Sequence, residues 1–267
     1  MRRLLTAAAL IPVIVYVVVF AQLWVFLGVL AAVAFLCYRE YNLIAASYGF
    51  GAPGPLGYAM GAALLVWGAQ PWPWLLMVLA ALAAAALAMR AKDDLAHALP
   101  RASLLLMGVV YIFGCWKCAA ELRSVSPHLL MFALIVNWAG DAGAYYIGKP
   151  FGRHKMAPRV SPNKSWEGAA ASVAASVLVG VPYLWRFVPI AGFVTIPALI
   201  LLTVSANAAG QIGDLAESAM KRGAGVKDSG ALLPGHGGIL DRVDSTLFAL
   251  PVILVFVVAI VRSLGRW

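Results

Sequence analysis

The chain has 267 residues, of which 63% are hydrophobic and only 12% are charged. Soluble domains carry roughly 25% charged residues, and a soluble body of this length cannot hide so much apolar surface. An ordinary globular protein is therefore excluded, and a membrane protein is predicted. The sequence holds 20 Lys and Arg against 11 Asp and Glu, a formal net charge of +9.

Nine apolar segments have about the length needed to cross a bilayer as helices, which is roughly 20 residues. The sequence therefore predicts an all-α polytopic membrane fold with about nine transmembrane helices. We divide them into an N-terminal region, 1–127, with about five helices, and a C-terminal region, 128–267, with about four helices and two polar loops. The predicted spans are 4–20, 22–38, 54–69, 72–89, 102–120, 128–147, 166–185, 189–213 and 245–263.

The distribution of cations predicts the orientation of these helices. The first segment follows Arg2 and Arg3 and has no convincing small-residue cleavage site, so we interpret it as an uncleaved helix rather than a signal peptide. A cytoplasmic N-terminus places fifteen of the 20 cations on the cytoplasmic side, together with both polar loops, 148–165 and 214–244. We expect a multi-pass protein of the cell (inner) membrane.

One small-residue pattern bears on oligomeric state. Gly57 and Gly61 form a GxxxG pattern, which lets two helices approach closely. Because the pattern is frequent in glycine-rich membrane helices, it gives only weak support for a homodimer.

Seven of the 11 acidic residues lie between positions 141 and 244, several of them at the ends of apolar helices. An ionisable group at membrane depth costs roughly 2.5–3.5 kcal/mol on insertion scales, so it is expected to have a partner and a function. Snorkelling or capping explains one isolated acid, but not the whole set. The seven are Asp141, Glu167, Asp214, Glu217, Asp228, Asp241 and Asp244.

The eighth predicted helix continues into a polar stripe with helical spacing. This stripe is a candidate for part of a functional site. The alternative interpretation is a solvated helix face stabilised by pairs such as Glu217 with Lys221, but this explains the cations better than it explains Asp214. The stripe consists of Asp214, Glu217, Ser218, Lys221 and Arg222.

A basic, glycine-rich segment follows this stripe. Glycines on both sides of Lys227 and His236 let backbone amides turn toward an anion, which makes phosphate a candidate ligand. Asp241 and Asp244 are spaced to share a helix face, and hard oxygen donors beside phosphate suit Mg²⁺. Both acids could equally cap the final helix, and the two roles are compatible.

The other polar loop, 148–165, holds five cations and three prolines, with Asp141 before it and Glu167 after it. Such a stiff cationic loop suits an anionic ligand. The alternative is a seat for anionic lipid headgroups, worth about 1 kcal/mol per cation near the surface.

The run from Ser218 to Asp244, SAMKRGAGVKDSGALLPGHGGILDRVD, closely resembles the signature of the phosphatidate cytidylyltransferase, or CDP-diacylglycerol synthase, family. It matches S-x-hydrophobic-K-R, then K-D-S-G, then P-x-H-G-G-hydrophobic-x-D-R-x-D. The segment from Asp141 to Gly168 is similar to the family's second shared block, except that Asn163 stands where many relatives are expected to have Lys.

This resemblance implies transfer of CMP from CTP to phosphatidic acid for phospholipid biosynthesis, giving CDP-diacylglycerol and pyrophosphate. It makes 128–267 the catalytic domain, with a cytoplasm-facing site formed by the C-terminal helices and loops. It implies Mg²⁺, with a second cation as an option, bound by Asp214, Asp241 and Asp244. Catalytic or CTP-binding roles are implied for Asp214, Ser218, Lys221, Arg222, Lys227, Asp228, His236, Asp241, Arg242 and Asp244, and substrate binding for Lys164, Ser165, Asp141 and Glu167.

The partners expected from the resemblance are CTP, phosphatidic acid and membrane lipids, and no nucleic acid. Two alternatives stay open. A CTP-dependent polyprenol or lipid kinase would move the γ-phosphoryl group and release CDP. A non-enzymatic protein that binds or transports anionic lipids would need no paired Asp241 and Asp244.

Overall fold

The computed structural model describes residues 10–50, 54–66, 82, 95–188, 194–232 and 237–263. The predicted site residue His236 lies outside these residues, as does all of the predicted span 72–89 except Leu82. Within the described ranges, helices account for nearly all of the regular structure.

Eight helices of ten or more residues are described, and each overlaps one of the predicted spans. Proline and serine mark one of the boundaries: Ser126 accepts a hydrogen bond from the backbone N–H of His128, and Pro127 occupies the first helical turn, where its missing N–H costs nothing. The helices are α1 (Leu10–Phe20), α2 (Leu23–Phe50), α3 (Gly54–Val66), α4 (Ala98–Val125), α5 (Pro127–Phe151), α6 (Trp166–Phe187), α7 (Ile196–Gly223) and α8 (Leu240–Ser263).

Five of the described helices are long and apolar enough to cross a membrane: α2, α4, α6, α7 and α8. Helix α5 has the length of a span, but it contains polar residues such as Asn137 and Asp141. Helices α1 and α3 are apolar but shorter. The chain is therefore an α-helical polytopic membrane protein, and the number nine remains a prediction.

Backbone packing divides the chain into two compact units. Unit 1 comprises Met1–Phe26, Cys118–Ala219 and Val243–Trp267, and unit 2 comprises Leu27–Lys117 and Met220–Arg242. Each unit draws segments from both predicted regions. The predicted division at residue 127 separates the helices along the sequence, whereas these units are defined by backbone packing. The division at residue 127 remains a prediction.

In unit 1, α5 and α6 pack closely because glycines remove side-chain volume between them. A Cβ added to Gly143 would lie 2.7 Å from the carbonyl oxygen of Ala171, and one added to Gly148 would lie 3.2 Å from the Cα of Gly168. Larger residues at these positions would force the backbones apart. The packing brings the polar C-terminal part of α5 against the start of α6.

The predicted polar loop 148–165 contains a short antiparallel hairpin of β1 (Lys155–Ala157) and β2 (Ser161–Ser165). Lys155 pairs with Ser165, and Ala157 pairs with Ser161. The strands are three and five residues long and lack alternating apolar residues, so the sequence does not reveal them. The hairpin fixes Lys164 and Ser165 directly before α6.

In unit 2, both glycines of the GxxxG pattern contact aromatic residues of the same chain. A Cβ on Gly57 would overlap the hydroxyl group of Tyr38, and a Cβ on Gly61 would overlap the ring of Phe113. The pattern therefore serves packing inside unit 2, and a homodimer remains a prediction.

Candidate functional site

A cavity of about 250 Å³ lies in unit 1, bordered by α5, α6, α7, the hairpin and the first turns of α8. Its lining includes four of the predicted site residues: Asp141, Lys164, Ser165 and Asp214. These residues come from α5, β2 and α7, which are far apart in sequence. The fold thus brings together acids and a cation that spacing alone could not connect.

Lys164 and Asp214 form an ion pair in this cavity. The Nζ atom of Lys164 lies 2.6 Å from Oδ2 of Asp214, and the two side chains are 26% and 34% exposed. The hydroxyl group of Ser218, one turn further along α7, donates to Oδ1 of Asp214 over 3.4 Å. The exposed part of the Lys164 ammonium group can bind an anion that enters the cavity. The exposed part of the Asp214 carboxylate can bind a divalent cation.

The buried amide of Asn207 and the part-buried amide of Gln211 form another part of the cavity wall. The Nδ2 atom of Asn207 lies 3.0 Å from Oγ of Ser172 and 2.8 Å from Oγ of Ser176, and Nε2 of Gln211 donates to Oδ1 of Asn207 over 2.6 Å. None of these residues is among the predicted site residues. The available signal was the presence of amides inside apolar helices, where polar groups need partners.

Two of the predicted substrate-binding residues hold the hairpin in place. Ser165 is buried, and its Oγ accepts a hydrogen bond from the backbone N–H of Gly168, which caps α6. Oε1 of Glu167 lies 2.6 Å from Nδ1 of His154, and the backbone N–H of His154 donates to the same carboxylate. Ser165 still lines the cavity, whereas Glu167 is not part of its lining.

In unit 2, Asp241 contacts three separate parts of the predicted signature segment. Its Oδ1 accepts a hydrogen bond from Nζ of Lys221, and its Oδ2 accepts from the backbone N–H groups of Ser229, at 2.9 Å, and Gly238, at 2.8 Å. The side chains of Lys221 and Asp241 are 10% and 6% exposed. A buried charge pair needs such additional hydrogen bonds to offset the cost of desolvation. Asp241 thus holds Lys221, Ser229 and Gly238 close to one another.

The remaining predicted residues differ in accessibility. Four charged residues of unit 2 are exposed to solvent. Asp244, in unit 1, is buried, and its Oδ1 accepts from the backbone N–H of Ser245 over 2.7 Å. The four exposed residues are Arg222, Lys227, Asp228 and Arg242.

Glu40 is a further acid of unit 2, and it is not among the predicted site residues. It is fully buried within α2, yet its carboxylate accepts hydrogen bonds from Ser229, Ile239 and Leu240. A carboxylate in the middle of an apolar helix was the signal for it.

Comparison of the sequence with known proteins identifies its family. The model of the cytidylyltransferase family matches residues 1–260 of the chain. The chain belongs to the cytidylyltransferase family. This membership confirms the resemblance that the signature from Ser218 to Asp244 indicates.

Curated relatives in the cytidylyltransferase family carry the name phosphatidate cytidylyltransferase. The protein of Staphylococcus saprophyticus is 40% identical over 159 residues, which cover 60% of this chain and 60% of the relative. The proteins of Staphylococcus epidermidis and Staphylococcus aureus are 41% and 42% identical over 157 residues, which cover 59% of each chain. The chain thus spans about 60% of the length of these curated relatives.

The carboxylates that line the unit 1 cavity fit a divalent cation that takes its remaining ligands from phosphate or water oxygens. Within each unit, the described residues contain no group of three His, Cys, Asp or Glu that could hold a metal without other ligands. Asp141 and Asp214, however, line one cavity, and Mg²⁺ typically takes one or two carboxylates and completes its coordination with phosphates and water. Both oxygens of Asp241 already accept hydrogen bonds, so its role as a ligand remains a prediction.

Proposed function

We propose that the protein transfers the cytidylyl group of CTP to phosphatidic acid, forming CDP-diacylglycerol and pyrophosphate. The observation that carries this proposal is the unit 1 cavity, where Lys164 and Asp214 meet at the polar ends of apolar helices. One substrate is a membrane lipid and the other a soluble polyanion, so a charged cavity beside membrane-length helices suits both. The name shared by the curated relatives supports the same reaction.

In the proposed reaction, a phosphate oxygen of phosphatidic acid attacks the α-phosphorus of CTP. The bond between the α-phosphorus and the oxygen that bridges to the β-phosphate breaks, and pyrophosphate leaves with that electron pair. A phosphate monoester is already largely dianionic near neutral pH, so the attack needs no strong general base. The main barrier is the repulsion between two polyanions and the charge of the leaving group.

In the proposed mechanism, cationic residues of this chain lower that barrier by offsetting the negative charge of the phosphates. In the proposal, Lys164 donates to a phosphate oxygen in the cavity, while Arg222, Lys227 and Arg242 provide exposed cations for the nucleotide. Ser218 orients Asp214 through its hydroxyl group.

The proposed metal ligands are Asp214, Asp241 and Asp244, and the position of Asp141 in the same cavity adds it as a candidate. Mg²⁺, when bound, neutralises phosphate charge and stabilises the leaving pyrophosphate. A second cation stays within the proposal.

We also propose nine transmembrane helices with a cytoplasmic N-terminus. The support is the distribution of the 20 cations, fifteen of which then fall on the cytoplasmic side. This bias is the usual signature of cytoplasmic loops. The proposed site then opens toward the cytoplasm, where CTP is present.

The decisive experiment incubates the purified protein in detergent with phosphatidic acid, Mg²⁺ and CTP labelled at the α-phosphate. Cytidylyl transfer moves the label into a lipid and releases pyrophosphate in equal amount. A kinase instead leaves the label in CDP, and a lipid-binding or transport protein consumes no CTP. Either of these last two results would overturn the proposal.

A further inference from the structure

Glu40 is a buried acid whose hydrogen-bond partners, among the described residues, lie in the part of the signature segment that belongs to unit 2. Its Oε2 accepts from the hydroxyl group of Ser229 over 2.9 Å and from the backbone N–H of Leu240 over 2.8 Å. Its Oε1 accepts from the backbone N–H of Ile239 over 3.0 Å. Three donors of one segment thus converge on one carboxylate of α2.

These contacts satisfy donors that the fold would otherwise leave unpaired. Leu240 begins α8, and the first N–H groups of a helix have no partner within that helix. A negative charge at this end is also favoured by the helix dipole. Glu40 therefore acts as a helix cap that comes from a distant part of the chain.

The surrounding backbone fits closely around the carboxylate. A Cβ added to Gly230 would lie 2.7 Å from Oε1 of Glu40, and a Cβ added to Gly238 would overlap both Oε2 of Glu40 and Oγ of Ser229. Glycine at both positions is thus explained by the acid that fills the space. The arrangement is built for a carboxylate of this length.

The segment that Glu40 fixes is the one that also holds Asp241. Ser229 donates its hydroxyl group to Glu40 and its backbone N–H to Asp241. Gly238 donates to Asp241, while the next residue, Ile239, donates to Glu40. Displacement of the Glu40 carboxylate would therefore also disturb the contacts between Asp241 and Lys221.

We infer that Glu40 is a positioning residue for nucleotide binding: it fixes Ser229, Ile239 and Leu240 and, through the adjoining contacts of Asp241, the charged groups that meet CTP. This inference rests on the proposed function. It assigns a role in the site to the N-terminal helices, which carry none of the predicted site residues.

Glu40→Gln tests the inference, because it keeps the size of the side chain but turns one acceptor into an NH₂ group facing N–H donors. Charge-assisted hydrogen bonds are roughly twice as strong as neutral ones, so we expect the Kd and KM for CTP to rise by at least about tenfold. The KM for phosphatidic acid should change far less. The melting temperature of the detergent-solubilised protein should fall, because buried N–H donors lose their acceptor, so binding is measured below the melting temperature of the variant. Glu40→Asp keeps the charge but is one methylene shorter, and should restore part of the CTP affinity.

Two further variants complete the test. Glu121→Gln makes the same chemical change on α4, outside the site, and should leave CTP binding unchanged. Ser229→Ala removes only one of the three hydrogen bonds to Glu40, so it provides a folded variant if Glu40→Gln does not fold, and CTP affinity should fall by a smaller factor. Unchanged CTP affinity in a folded Glu40→Gln or Ser229→Ala protein overturns the inference, as does an equal rise in both KM values.

Direct measurement of labelled CTP binding separates this inference from the proposed function. A wild-type protein that binds CTP without transferring its label overturns the proposed reaction, while a loss of binding in Glu40→Gln still supports the inference. A wild-type protein that neither binds CTP nor transfers label overturns both.

Discussion

The ammonium group of Lys164, at the end of the hairpin, lies 2.6 Å from the carboxylate of Asp214 in α7. The pair joins the two polar regions that flank α6, and both residues line the same cavity. Because each side chain keeps about a quarter to a third of its surface exposed, the pair adds at most about 1 kcal/mol to stability. Its value therefore lies in placing charge where a phosphate and a metal ion can reach it.

Lys164→Met should lower kcat/KM for cytidylyl transfer by about 10²-fold, since the loss of one group that stabilises developing charge typically costs this much. The melting temperature should remain close to that of the wild type. Lys155→Met is the matched control, because Lys155 is an exposed cation of the same hairpin that does not line the cavity. Equal losses in both variants would assign the effect to the overall charge of the loop.

Mg²⁺ dependence tests the proposed ligands. Chelation should abolish transfer, and added Mg²⁺ should restore it. Asp214→Asn should raise the Mg²⁺ concentration needed for half-maximal activity, because it removes a charged oxygen ligand. The same titration on Asp241→Asn tests the second predicted ligand, and an unchanged requirement would remove Asp241 from the predicted set.

Asn207→Leu should lower the free energy of unfolding by about 1–3 kcal/mol, since the substitution removes the hydrogen bonds that Asn207 donates to the buried hydroxyl groups of Ser172 and Ser176. Denaturant titration in detergent measures the change. Ser124→Ala removes an exposed hydroxyl group and should stay within about 0.5 kcal/mol of the wild type. A stability loss of the same size in both variants would argue against a special role for the buried amides.

Gly57→Ala should lower the free energy of unfolding by about 1–3 kcal/mol through overpacking against Tyr38. Gly28→Ala is the control, because a Cβ there meets no atom within 4 Å and alanine favours a helix by about 1 kcal/mol over glycine. Light scattering during chromatography should give the same oligomeric state for both variants. A change of that state in Gly57→Ala alone would reassign the GxxxG pattern to an interface between chains.

Hydropathy was sufficient to predict the helices. Every described helix of ten or more residues overlaps a predicted span, because a run of apolar residues must bury its backbone in a helix wherever water is absent. The hairpin around Lys155 was missed, since its strands are only three and five residues long and lack alternating apolar residues. Its pairing depends on contacts such as that between His154 and Glu167, which the sequence does not reveal.

The charged residues were predicted as groups, but their partners were not. Spacing along α7 identifies Asp214 and Ser218 as neighbours, and the structure brings them into contact. Spacing along the sequence cannot reveal that Lys164 pairs with Asp214 or that Asn207 lines the cavity, because both contacts depend on packing between elements that are far apart in the chain. Glu40 lay far from the signature in sequence, and only the fold connects it to Ser229.

The contacts of Glu40 also impose an order on biosynthesis. Helix α2 leaves the ribosome long before Ser229, Ile239 and Leu240 are translated, because N-terminal regions are made and begin to fold first. Until then the carboxylate of Glu40 has none of these three donors, and burial of its charge without them would be costly. Unit 2 therefore completes its packing around Glu40 only after the start of α8 has been translated.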